Sequence, residues 1–154
     1  MNLAEILTSE RIVPNLASEE QLPAITELVD RLVAVGSLTP EQRDPALTAL
    51  KEREEQRSTG IGGGIAIPHS FLPNLDGVLA IFGRSIPGID FCALDRAPVH
   101  FIVLFLVPEK EHNLHLKTLS SIAKIMNSAD TRNRLAEAGT ETEILDILTN
   151  RQVA

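Results

Sequence analysis

From Ser18 onward, apolar residues fall at a helical period of ~3.6: Leu22, Ile25, Leu28, Val29, Leu32 and Val33. This spacing predicts a core-facing amphipathic helix. Ser18 is its expected N-cap, Gln21 the partner in a capping box, and Gly36 the C-terminal stop. Thr39-Pro40 pairs an N-cap with a first-turn proline and predicts a second helix to Arg53 or beyond, with Pro45 placed to kink it early. The pattern then changes to short unbroken apolar runs. Ile65 to Ile67, Val78 to Phe82 and His100 to Val107 are bounded by Gly or Pro and rich in β-formers, which predicts mostly buried strands. Ile86-Pro87-Gly88 and Arg96-Ala97-Pro98 read as loops, and Ile89 to Cys92 as a short edge strand.

Helical spacing returns after a polar loop over 108–113. Leu116, Leu119, Ile122, Ala123, Ile125 and Met126 share one face, with His115 at or beside the first turn. Asp130-Thr131 opens a further helix to about Ala138, with Gly139 as its stop. Thr140 and Glu143 then form a capping box ahead of Ile144, Leu145, Ile147 and Leu148. Helices flanking a central group of short strands predict an α/β or α+β layered architecture, and 154 residues at 44% hydrophobic suit a single domain over 1–154.

Composition narrows the function classes. A net charge of −7 with no Trp or Tyr argues against a phosphate-backbone or base-stacking surface, so no nucleic-acid partner is expected. The longest apolar run, Phe101 to Val107, is too short to span a bilayer, and the first residues carry Glu5 and Glu10 rather than a basic start. The expectation is a chain that is not membrane-embedded. The single cysteine, Cys92, reads as a small buried hydrophobe and fits a reducing cytoplasm.

The chemistry concentrates in Ser58 to His69, Ser-Thr-Gly-Ile-Gly-Gly-Gly-Ile-Ala-Ile-Pro-His. The glycines give the backbone access to positive φ and close approach. The run matches neither the dinucleotide fingerprint nor the P-loop. Pro68 is expected to end the strand and to present His69 from a stiff platform. The neutral imidazole offers a lone pair as base, metal ligand or nucleophile. The charged patch 51–57 leads into the glycines and makes Arg53 and Arg57 candidates for an anion clamp.

These residues, with His115-Leu-Lys-Thr-Leu downstream, resemble the enzyme IIA domain of the fructose, mannitol and nitrogen-regulatory branch of the bacterial phosphotransferase system. The likeness covers nearly the whole chain, from Asn2-Leu3-Ala-Glu-Ile6-Leu7-Thr8 to Glu143-Ile-Leu-Asp-Ile-Leu. It implies a mixed β-sheet flanked by helices on both faces. It implies a phosphocarrier that accepts a phosphoryl group on His69 from an HPr-like protein and passes it to an enzyme IIB domain. Arg53 falls at the position associated with the phosphoryl oxygens, and His115 at that of a second active-site imidazole. No cofactor or metal is implied.

Phosphoryl transfer depends chiefly on positioning and on stabilising the equatorial oxygens. Arg53 suits this through its planar fork, with Arg57 as the alternative. Ser58 or Thr59 is an expected hydroxyl donor, and Gly62 and Gly63 are expected amide donors of an anion-binding concavity. Ser70 replaces a glycine frequent in the family and is a further phosphate ligand candidate. Nothing after Leu148 resembles enzyme IIB, which places the partner in trans or leaves phosphorylation as a regulatory signal. Two other readings compete: a non-catalytic regulatory binding module of the same fold, and a metal hydrolase using His69, His112 and His115.

Overall fold

The computed structural model describes residues 3–91, 93 and 95–150, with the side chains of His112 and Asn150 left out. The readings made for Cys92 therefore lie outside the described residues. In chain order the elements are α1 (Leu3–Ile6), a 3-10 turn (Ser9–Arg11), β1 (Ile12–Val13), α2 (Gln21–Ala34), α3 (Pro40–Gln56), β2 (Gly60–Gly62), β3 (Ile65–Ala66), β4 (His69–Leu72), β5 (Leu79–Ile89), β6 (Val99–Pro108), α4 (His112–Met126), α5 (Ala129–Glu137) and α6 (Glu141–Asn150).

Local chemistry explains where the helices start. Thr39 caps α3 through a complete capping box with Gln42, and the helix runs through Pro45 to Gln56. The cap expected at Ser18 does not form. Glu20 occupies the N-cap of α2 without a side-chain bond, because the amides of Ala17 and Ser18 and the Ser18 hydroxyl all donate to the Glu27 carboxylate. Gln21 turns away to donate to Glu54 at 2.8 Å. Pro23 is tolerated in the first turn, where an amide has no helical partner anyway. Gly36 follows the helix at φ 80°, as the C-terminal stop requires. Ser128 caps α5 by accepting from the Thr131 amide, upstream of the expected start. At α6 one arm of the capping box is made, Glu143 N–H to Thr140 Oγ1, while the Glu143 carboxylate accepts from Gly139 instead.

Among the described residues the sheet has six strands in the order β1-β5-β6-β3-β2, with β4 also pairing β6. β5 and β6 run antiparallel; β1 joins β5, and β3 and β4 join β6, in parallel. The expected loop at Ile86-Pro87-Gly88 is instead the far end of β5, carried past an irregularity between Arg84 and Ile89 by Gly88 at φ 93°. β6 likewise continues through Pro108, and α4 begins at His112, so the expected polar loop is shorter.

Both faces of the sheet are covered, as the helices on either side require. Ala66, Ile81, Ile102, Leu104 and Leu106 meet Ile25, Leu28 and Leu50 of α2 and α3. Ile67, Phe82, Val103, Phe105 and Val107 meet Ile122, Met126, Leu135, Ile144 and Leu148 of α4, α5 and α6. Of the residues expected in the α2 core stripe, Leu22 is instead 38% exposed. No described helix is long and apolar enough to cross a membrane.

Candidate functional site

β3 ends at Ala66, just ahead of Ile67-Pro68, and a new strand, β4, opens at His69. Ile65 pairs with Phe101, Ala66 with Ile102 and His69 with Phe105, so the offset against β6 is unchanged across the proline. Proline removes one ladder donor, but its carbonyl still accepts from the Phe105 amide at 3.0 Å and the ladder resumes. His69 is thus the first residue of β4 and lies within the sheet, not on a projecting platform. Residues alternate faces along a strand, so His69 shares with Ile65 and Ile67 the face covered by α4.

There the imidazole is packed on its sides and tethered at one nitrogen. Its ring stacks on Phe105, with centroids 5.0 Å apart and planes 8° from parallel. The His115 ring, in the first turn of α4, stands 4.8 Å away, and Phe71 meets His115 edge-on at 5.3 Å. His69 Nδ1 lies 2.6 Å from the Ile67 carbonyl oxygen. A carbonyl only accepts, so Nδ1 carries the proton and the lone pair of the neutral ring belongs to Nε2. The residue is 7% exposed. Burial pushes its pKa from 6.5 down to about 4, the Ile67 bond opposes the shift, and the charges of His115 and Arg53 assist it. His69 is therefore neutral at physiological pH.

The guanidinium that His69 feels is that of Arg53, in the last turn of α3. Arg53 Nη1 donates to the Arg57 carbonyl at 2.7 Å, while the Arg57 side chain is exposed beyond the helix end. The neighbouring Glu54 fixes this helix end to the start of β2. Its carboxylate accepts from the Thr59 amide at 3.1 Å, from the Thr59 hydroxyl and from Gln21, in a site that leaves Glu54 only 8% exposed. Burial raises the Glu54 pKa above the usual carboxylate value, against the hydrogen bonds from Thr59.

The other expected phosphate ligands are placed elsewhere or already engaged. Gly62 and Gly63, at φ 96° and 66°, form the tip of the β2–β3 hairpin, and the Gly63 amide donates to Asp95 at 3.1 Å. Gly64 abuts His100 and His69 pairs with Phe105, so the tip is roughly 15 Å along the sheet from the imidazole. The glycines serve a tight hairpin, not an anion cradle at His69. Ser58 donates its hydroxyl to Phe91 O at 2.8 Å, Thr59 is bound to Glu54, and Ser70 falls on the opposite face of β4 from His69. The hydrolase reading needs the side chain of His112, which lies outside the described residues.

Sequence reasoning missed Phe105, the Ile67 carbonyl and Glu54. Phe105 sits in a uniformly apolar run, and only the β4–β6 register shows that it backs the histidine. Glu54 was hidden among charges that pattern alone assigns to solvent.

Comparison with known proteins bears on the chain as a whole. Residues 5–151 match the sequence profile described as "Phosphoenolpyruvate-dependent sugar phosphotransferase system, EIIA 2". A fructose-specific EIIABC component of Bacillus subtilis is 36% identical over 96% of this chain, which spans only 23% of that longer protein. A fructose-specific EIIA component of Haloferax volcanii is 36% identical over 96% of this chain and 97% of its own length. The crystal structure of nitrogen regulatory protein IIA-Ntr from Neisseria meningitidis superposes with a TM-score of 0.86 at 30% identity, covering 96% of this chain and 99% of that one.

Proposed function

This chain belongs to the EIIA 2 family of the phosphoenolpyruvate-dependent sugar phosphotransferase system, and from that premise we propose that His69 is its phosphoryl acceptor. The donor is the phosphohistidine of an HPr-like carrier. The acceptor is an enzyme IIB domain, or the phosphorylated state itself acts as a signal to a regulatory target. Both proteins and the exchange belong to the cytoplasm.

One observation carries the reading: the Nδ1 bond to Ile67, in a pocket that keeps the ring neutral, directs the lone pair to Nε2 beside a second imidazole and a guanidinium. In the forward step that lone pair forms the new N–P bond. The donor's N–P bond breaks in line, and its electron pair returns to the donor ring nitrogen. No proton must leave His69, because Nδ1–H remains on Ile67 while the ring takes on positive charge. That hydrogen bond strengthens as the charge develops. Arg53 meets the equatorial oxygens with its fork, and the half-buried His115, beside the His69 ring, supplies a further donor. The Leu116 side chain, 62% exposed next to His115, gives an incoming carrier an apolar contact.

The intact nucleophile argues for transfer over a purely non-catalytic binding module. Relatives of this chain are named both for fructose and for nitrogen regulation, and in this reading the partner decides between transport and regulation. Incubation with radiolabelled phospho-HPr tests the reading. Wild type takes up label and His69→Ala does not; unlabelled wild type, or equal labelling of His69→Ala, refutes it.

A further inference from the structure

At the far end of the sheet from His69, a cavity of about 360 Å³ opens between the end of β5, the β2–β3 hairpin tip and α5. Two arginines line it, Arg84 and Arg132, and no Asp or Glu is among its described lining residues. In a chain of net charge −7 this is an unexpected local sign.

Arg84 is 5% exposed. Its Nε donates to Pro14 O at 2.9 Å, and its Nη1 to Leu135 O at 2.9 Å and Ala138 O at 2.5 Å. The last two are carbonyls at the end of α5, where the helix dipole favours a cation. Backbone carbonyls thus orient a buried guanidinium and leave its Nη2 as the nitrogen with N–H groups to offer. Arg132 is held similarly, with Nη1 on Met126 O at 2.8 Å and its guanidinium carbon 3.6 Å from where a side chain on Gly63 would begin. Both forks are fixed before any ligand arrives, which lowers the ordering cost of binding. His100 contributes a wall and not a donor, because its Nδ1–H is spent on Ser85 O at 2.9 Å and its Nε2 lies against Gly88.

We propose that this cavity binds a small phosphorylated metabolite, a phosphate monoester on a short carbon skeleton, at a site separate from the phosphoryl-transfer centre. Paired guanidiniums match a dianionic phosphate better than a single carboxylate. The apolar part of the wall, Ile86 and Phe101, accepts the carbon chain. The volume is at the low end for small-molecule sites and excludes a dinucleotide. Asp95, bonded to the Gly63 amide at 3.1 Å, is an acidic group at the hairpin edge of the cavity, where two guanidiniums outnumber it, and charges beyond about 8 Å are screened at physiological salt.

The test is titration of the ¹⁵N-labelled full chain with glycerol 3-phosphate and, separately, inorganic phosphate, read by amide shifts. The expected result is a saturable set of shifts at Gly63, Ser85 and Asn133, distinct from any set around His69 and His115. Glycerol 3-phosphate binds more tightly than inorganic phosphate. Arg132→Gln weakens that set about tenfold, the loss of one charge-assisted contact, and leaves the His69 set in place. Exposed Asn133→Asp, which puts a negative charge at the mouth without touching the core, does the same. Shifts confined to His69, equal affinity for the two probes, or unchanged titration in Asn133→Asp overturns the proposal.

Discussion

His69 Nδ1 donates to the carbonyl oxygen of Ile67, two residues earlier, at 2.6 Å. Ile67 N–H is taken by Thr59 O at 3.1 Å, across to the chain entering β2, whereas its carbonyl is met by the imidazole. The sheet thus uses a side chain where the neighbouring strand no longer supplies an amide, and in doing so sets the tautomer of the nucleophile.

Burial of that ring couples stability to pH. The folded-state pKa, about 4, lies below the ordinary 6.5, so the folded protein prefers the neutral form. The associated stability, about 3 kcal/mol, is fully present above pH 6.5 and is lost as pH falls towards 4. Urea unfolding across this window should fall more steeply for wild type than for His69→Gln. Parallel curves would contradict it.

The two arginines near the helix end should separate. Arg53→Lys keeps the charge but loses the fork, and the transfer rate from phospho-HPr should fall about tenfold or more. Arg57→Lys, at an exposed position past α3, should leave it within a factor of two or so. Rapid-quench measurement of both variants decides, and equal losses would remove Arg53 from its role.

Glu54 is the tether. Glu54→Ala strands the buried Thr59 amide and hydroxyl, which should cost about 1–3 kcal/mol by denaturant titration. It should also slow transfer by loosening the helix end that carries Arg53. A variant as stable as wild type would show that the bonds are not needed.

The hairpin glycines should matter to folding and not to transfer. Gly63→Ala forces an L-residue to φ 66° and should lower stability by about 1–2 kcal/mol. Labelling of His69 should be unaffected, since the hairpin tip is roughly 15 Å away. A large loss of labelling in well-folded Gly63→Ala would return the glycines to the phosphate site.

Much of this was legible in the chain. The Thr39 cap with Pro40 behind it, the Gly36 stop and the apolar run of β6 stand where local chemistry put them, because each depends on neighbours in sequence. His69, Arg53 and His115 were singled out by motif, and the structure places them near one another. What escaped depends on register and competition. Pro68 was read as presenting His69 off a strand end, and the strand does stop there, but β4 resumes on β6 at the same offset and buries the imidazole. Ser18 was read as a cap, but Glu27 captures its hydroxyl. The concentrated glycines suggested an anion cradle, while their positive φ values serve the turn between β2 and β3.

The regiochemistry of phosphorylation tests the central claim most directly. Two-dimensional ¹H–¹⁵N and phosphorus NMR of the protein phosphorylated by phospho-HPr should place phosphorus on Nε2 of His69, with Nδ1 still protonated. Phosphorus on Nδ1, or on His115, would contradict an account in which the Ile67 carbonyl chooses the nucleophilic nitrogen.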